Sequence, residues 1–166
     1  MRYSRLSTAT LCLALASCGA ESSLPLDVTD VEPSFAMAGS SGCYPVEGTI
    51  SETGFFPNFA GVISGDLEGT TTTAIGFGGA NGAVIKNPGS RTIDVTGGTI
   101  EALVGQTLGE SFNGLSIDDA SDLVRINERT RIESGAARGN LTTHGTLDLS
   151  TSPWEVELTY RGIICP

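Results

Sequence analysis

An all-β fold, an antiparallel barrel closed from eight strands in up-and-down order, is what this sequence predicts. Three observations carry that reading. Apolar and polar residues alternate with period two through successive segments. Turn residues recur between those segments at short spacing. Two cysteines stand at the start of the first segment and the end of the last. The 22 glycines, frequent threonine and scarce lysine agree with strands and tight turns rather than helices.

The elements follow in chain order from Cys43. "YPVEGTI" puts Tyr44, Val46 and Ile50 on one face. "AGVISGDLEG" is less regular, with Ile63 and Leu67 on one face and Val62 on the other. "TTTAIGFGGA" leads into Asn81-Gly82, the strongest short hairpin signal. "AVIKNPGSRTIDV" places a turn at Asn87-Pro88-Gly89, then a strand with Ile93 and Val95 facing one way, ended by Gly97-Gly98. "TIEALVGQTLGESF" is the weakest strand signal, and Ile100 to Leu103 suit a helical turn. "DLVRINERTRI" alternates well, with Val124, Ile126 and Ile132 on one face and Arg125, Asn127, Arg129 and Arg131 on the other. After "SGAARGN", Leu141, Leu147 and Leu149 point inward, while Thr142, His144, Thr146 and Asp148 point outward. After "STSP", Trp154, Val156, Leu158 and Tyr160 point inward against outward Glu155, Glu157, Thr159 and Arg161.

The chain begins with a basic stretch carrying Arg2 and Arg5, then an apolar run from Leu6 to Leu15. That run is too short for a bilayer core of about 30 Å, which needs about 20 residues. Leu15-Ala16-Ser17-Cys18 resembles a bacterial lipobox. Small residues before the cysteine suit a peptidase cleft, and the thiol can carry diacylglycerol. In such precursors the cut falls before the cysteine. The resemblance implies a signal peptide over 1–17 and a lipid-bearing Cys18 as mature N-terminus, with the membrane as partner through that lipid. Each buried CH₂ contributes about 0.8 kcal/mol, so two or more acyl chains anchor stably. Gly19 is not the aspartate that often marks inner-membrane retention, so the outer membrane is the expected address in a Gram-negative cell. Residues 18–42 read as a tether: acidic, rich in Ser, Pro and Gly, without Lys or Arg. The barrel domain is expected over 43–166.

Cys12 then leaves with the signal and Cys18 is acylated, which leaves Cys43 and Cys165. An exported chain permits a disulfide between them. A closed meander of even strand number makes its first and last strands antiparallel neighbours, so a Cys43–Cys165 bond would fasten the seam. The loop is long, and the chain-entropy model puts its contribution at about 4–5 kcal/mol as an upper figure. A sandwich can also bring its ends together and is the alternative architecture. The chain's net charge is −10. So acidic a surface argues against nucleic acid, whose binding rests on Lys and Arg neutralising phosphate. It also disfavours electrostatic docking on anionic lipid, so the anchor has to be covalent.

"VISGDLEGT" at 62–70, followed by "VTGGTIEALVG" at 95–105, resembles the small eight-stranded barrels of the allene oxide cyclase and dirigent type. The likeness covers the middle third of the domain and consists of glycine and turn motifs. It implies the barrel and carries over no catalytic residue. Where the family usually continues Gly-Arg-Phe, this chain has Ile100-Glu101-Ala102.

The chain contains no P-loop, dinucleotide fingerprint, GxSxG elbow or HExxH, so no cofactor is expected. His144, the only histidine, shares the polar face of its strand and reads as a solvent-exposed barrel residue. Asp118, Asp119 and Asp122 in "SIDDASD" are the weak candidates for calcium, which takes clustered oxygen ligands. Their spacing fits no EF-hand loop, so no metal is expected. Arg125, Arg129 and Arg131 with Glu155, Glu157 and Arg161 read as cross-strand charge pairs on the outer wall. Glu128 is the one weak catalytic candidate. Strict alternation aims it inward with Val124 and Ile126, where desolvation would raise its pKa and fit it for acid–base work. A bulge or hairpin end near Asn127 would turn it outward, and that is the orientation expected. The expected function is a non-catalytic binding or structural module at the envelope, with a small ligand or an envelope protein as partner. The alternative is a cyclase or isomerase acting on a small apolar substrate in the lumen. An open cavity with Glu128 and a second polar group at its base would favour the enzyme.

Overall fold

A computed structural model describes residues 42–118, 122–133, 135 and 137–166. The signal peptide, Cys18, all of the tether but Gly42, and Asp119 lie outside the described residues. Nine strands form one sheet: β1 (Tyr44–Phe55), β2 (Asn58–Gly65), β3 (Leu67–Ile75), β4 (Gly79–Asn81), β5 (Val84–Gly98), β6 (Thr107–Asp118), β7 (Leu123–Ile132), β8 (Arg138–Asp148) and β9 (Trp154–Cys165). Their order is β3-β2-β1-β9-β8-β7-β6-β5-β4, and a further β3–β5 pairing closes the ring. Every pairing is antiparallel. The fold is therefore the expected closed eight-stranded barrel, with the short β4 as an extra strand beside the first half of β5.

Closure is even-stranded, so β1 and β9 are antiparallel neighbours with Tyr44 opposite Ile164. Cys43 and Cys165 meet at the end of that ladder in a disulfide, with Cα atoms 3.9 Å apart. Reduction is expected to lower the melting temperature while far-ultraviolet circular dichroism stays that of a β-barrel, because the ladder and core persist without the bond. Loss of the β signal on reduction at room temperature would show instead that the seam depends on the disulfide.

The alternation places the inward residues as expected. Val46, Ile50, Ile63, Leu67, Ile93, Val95, Leu141, Leu158 and Tyr160 are buried, and Val62 is exposed. Glu101–Leu103 form a 3₁₀ turn at the base, where Leu103 is wholly buried, a contribution of about 1.5–3 kcal/mol. The two glycine motifs meet at the same end. Leu67 pairs with Gly98, and Asp66 accepts hydrogen bonds from the Thr99 hydroxyl (2.8 Å) and the Glu47 N–H (2.8 Å). Those motifs thus knit the barrel base together. Asn81 pairs with Val84 across a two-residue loop whose first member, Gly82, has φ +62°, as the hairpin signal implied.

Three expectations are corrected. Asn87-Pro88-Gly89 is not a turn, because β5 runs straight through it. The Pro88 carbonyl accepts from the Gly76 N–H, so its missing donor faces the gap between β3 and β4, where no ladder partner is lost. Gly89 makes room for a ring: a Cβ there would come within 2.3 Å of Phe112 Cζ. The charge pairs between β7 and β9 do not form either, since β8 separates those strands. Arg125, Arg129 and Arg131 stand opposite Thr146, Thr142 and Asn140. Lastly, Glu128 points inward. β7 keeps its register with β6 and β8 through Asn127 and Glu128, and no bulge intervenes.

Candidate functional site

The lumen is layered. Its base is the apolar core just described. Tyr160 closes it, buried, with its hydroxyl accepting from the Leu67 N–H at 3.0 Å. Burial, before any other influence, pushes the Tyr160 pKa up to about 12.

The middle layer is ionic. Arg91 from β5 reaches Glu52 from β1 (3.4 Å), Glu110 from β6 (3.4 Å) and Glu128 from β7 (3.3 Å). All four are nearly inaccessible to water, with 2–4% of their surface exposed. Threonines complete the network. Arg91 Nε donates to Thr73 Oγ1 (2.9 Å), whose hydroxyl donates to Glu52 (2.6 Å), and Thr143 donates to Glu128 (2.7 Å). The guanidinium also lies 5.3 Å from the centroid of Phe112. Burial on its own would lower the Arg91 pKa, but the fields of Glu128, Glu52 and Glu110 outweigh it and hold the group above its ordinary value. One cation therefore serves three carboxylates. Glu110 is the least well served: burial, only partly offset by Arg91, raises its pKa to about 7. Among the described residues its Oε1 has no hydrogen-bond partner, and neither do the buried hydroxyls of Thr71 and Thr130.

Above this layer the barrel opens. The mouth is a cavity of about 320 Å³ walled by Phe56, Phe59, Ile75, Phe77, Ile85, Val124, Ile126, Leu147, Leu149 and Trp154. Among the described residues Asn87 and Ser116 are its only polar lining, and none of the lining residues is ionisable. Asn87 Nδ2 donates to Ser116 Oγ at 2.6 Å, and among the described residues the two side chains have no other hydrogen-bond partner. The amide oxygen and the serine proton thus remain able to meet one polar atom of a guest. Aromatic contacts frame the rim: Phe55 against Trp154 at 6.0 Å and Phe56 edge-on to Phe77 at 6.5 Å.

Of the residues singled out in the sequence, Glu128 lies inside the barrel but belongs to the ionic layer, not to the wall of the mouth. His144 is exposed, opposite Asn127 and Thr159 on the outer wall. Asp122 is exposed and its carbonyl accepts from the Leu149 N–H. Asp118 ends β6, and with Asp119 outside the described residues the trio is not tested as a site. Among the described residues no group of three acidic, histidine or cysteine side chains is arranged to hold a metal. Sequence reasoning missed Arg91, Glu52 and Glu110. The signal was present: each shares the inward phase of its strand, Arg91 with Ile93, Glu52 with Ile50 and Glu110 with Leu108. Comparison with protein-family models, with curated proteins and with solved structures found nothing that matches this chain.

Proposed function

We propose that this chain is an envelope lipoprotein, anchored through a lipid on Cys18, whose barrel is a non-catalytic module holding a small, uncharged, mainly apolar ligand in its mouth. The observation that carries the binding role is the mouth itself: a concave apolar cavity with two polar groups that are free to orient a guest. A charged ligand would find no ionisable partner among the described lining residues. The cyclase or isomerase reading needs an acid–base group facing the substrate. Glu128 is the sequence candidate for that role, yet its Oε2 is taken by Arg91 and Thr143 beneath the mouth, which favours binding over proton transfer.

Trp154 is the only tryptophan in the chain and lines the mouth, so its emission reports occupancy. A neutral naphthylamine probe is expected to quench or shift that emission saturably. Leu147→Phe should narrow the cavity and weaken the probe by about tenfold or more, equivalent to about 1.4 kcal/mol, with the fold intact and Trp154 still the only tryptophan. Probe affinity unchanged by the narrowed mouth would sink the assignment.

The anchor is tested separately. Wild-type chain expressed in a bacterium should take up labelled palmitate and sediment with membranes. Cys18→Ser should do neither, while the barrel still folds. Equal labelling of the variant would remove the lipid from the proposal and leave the mouth untouched.

A further inference from the structure

The exposed cations are not scattered over the barrel. Lys86, Arg125, Arg129, Arg131, Arg138 and Arg161 lie on β5, β7, β8 and β9, whereas the outward positions of β2 and β3 hold none: Asn58, Ala60, Val62 and Ser64, then Glu68, Thr70, Thr72 and Ala74. In a chain with 19 acidic residues, surface cations would ordinarily find partners. Arg131 does, at 2.7 Å from Glu133. Lys86, Arg129, Arg138 and Arg161 enter no ion pair among the described residues.

Their register gives these charges an order. Arg129 on β7 stands opposite Thr142 on β8, which stands opposite Arg161 on β9. In the other direction Arg129 stands opposite Asn113 on β6, and Asn113 opposite Pro88 on β5, two residues from Lys86. Cations therefore recur on the alternate strands β5, β7 and β9 of one side of the barrel. Neighbouring strands lie about 4.8 Å apart, so Arg129 and Arg161 stand about 10 Å apart, and Lys86, two residues off that row, stands about 12 Å from Arg129. Between them lie neutral hydrogen-bonding side chains, Asn113, Asn127 and Thr142. Together with Lys86, Arg129, Pro88 and the exposed Leu115 these line one concave stretch of the outer wall; the buried Glu128 also borders it, beside Gly114, and Arg161 lies outside it.

We infer that this wall binds a linear anionic glycan running across the strands, one that carries a carboxylate once per disaccharide. The repeat of such a chain matches the interval between cations on alternate strands. Its hydroxyls meet Asn and Thr side chains, and the apolar faces of its sugar rings meet Leu115 and Pro88. Charge complementarity favours this wall: the outward positions of β5 to β8 hold Lys86, Arg125, Arg129, Arg131 and Arg138 against Asp94 and Asp148, although at its β9 edge Arg161 faces Glu47 of β1 and shares its strand with Glu155 and Glu157. A phosphate polymer, with more closely spaced charges, would leave alternate anions over neutral side chains. This inference does not depend on what the mouth holds.

The test uses the full-length protein with hyaluronate, which has one carboxylate per disaccharide, beside neutral dextran, polyphosphate and vesicles containing phosphatidylglycerol. Hyaluronate should bind with an affinity that falls as salt rises, and dextran should not bind. Arg129→Ser with Arg161→Ser should weaken hyaluronate by about tenfold or more, the loss of two charge-assisted contacts. Ser64→Glu with Thr72→Glu alters net charge by the same amount on the opposite wall and should leave binding within about twofold. Equal weakening by both pairs would reduce the effect to overall charge and overturn the site. Tighter capture of polyphosphate or of vesicles than of hyaluronate would overturn the glycan in favour of a phosphate partner. Absence of salt-dependent hyaluronate binding by the wild type would overturn the inference outright.

Discussion

Arg91→Met is expected to abolish folding of the barrel at neutral pH. The methionine fills much the same volume, so the effect isolates charge. Removing one partner of a buried ion pair ordinarily costs about 3–5 kcal/mol, because the other charge is left without compensation. Here the lost guanidinium is, among the described residues, the only cation bonded to Glu52, Glu110 and Glu128, all three sealed from water. The total stability of a domain is about 5–15 kcal/mol, so a loss beyond the single-pair figure reaches the whole of it. Two comparisons separate charge from packing. Acidification should partly restore Arg91→Met, since protonated glutamates no longer need a cation. Arg91→Met combined with Glu52→Gln, Glu110→Gln and Glu128→Gln should fold at neutral pH, as replacement of a complete buried cluster is often neutral. A melting temperature for Arg91→Met equal to that of wild type at neutral pH would show that the cluster contributes nothing to stability. Arg91→Lys is expected to fall between, because one compact ammonium cannot reproduce a fork that meets three carboxylates and Thr73.

The barrel was legible because period-two alternation survives in nearly every strand. Trp154, Val156, Leu158 and Tyr160 could be assigned to one face by counting, and the seam followed from where Cys43 and Cys165 fall. The same counting aimed Glu128 inward. The outward orientation was expected from a bulge or hairpin end near Asn127, and neither forms. The partner of Glu128 lies 37 residues away on another strand, and pairing across a barrel depends on register, which local sequence does not specify. Four charged residues in the inward phase of four strands were the clue that such a layer exists, although no one of them carried it alone. Asn87-Pro88-Gly89 misled for a different reason. Turn residues and strand residues overlap where a strand passes a break in its neighbour, and only the β3–β4 interruption and the Phe112 ring explain why proline and glycine fit there. The mouth was hidden too: its walls come from β2, β3, β5, β6, β7, β8 and β9 and from loops that carry Phe56, Phe77 and Leu149, and their convergence is a property of closure rather than of any segment.

Most domains lose stability on acidification, and between about pH 8 and pH 5 this one is expected to gain it. Glu110 is the cause. Burial, more than Arg91 can offset and reinforced by Glu128 and Glu52, raises its folded pKa to about 7, against the ordinary carboxylate value of 4.5 in the unfolded chain. A carboxyl whose folded pKa is raised binds its proton more tightly when folded. The stability it contributes is fully present below about pH 4.5 and is lost as pH rises through about 7. At 1.36 kcal/mol per pKa unit the difference across that window is on the order of 3 kcal/mol. The protonated form also suits the geometry. One oxygen faces Arg91 at 3.4 Å, and the other, without a partner when ionised, can carry the proton. Glu110→Gln fixes the neutral state permanently. At about pH 8 it should be more stable than wild type by up to about 3 kcal/mol, and at about pH 5 the two should nearly coincide. Urea unfolding across that range, read by Trp154 emission, measures both curves. If wild-type stability is flat or rises from pH 5 to pH 8 and Glu110→Gln runs parallel to it, then Glu110 is ionised in the folded barrel throughout, and Arg91 balances three negative charges rather than two.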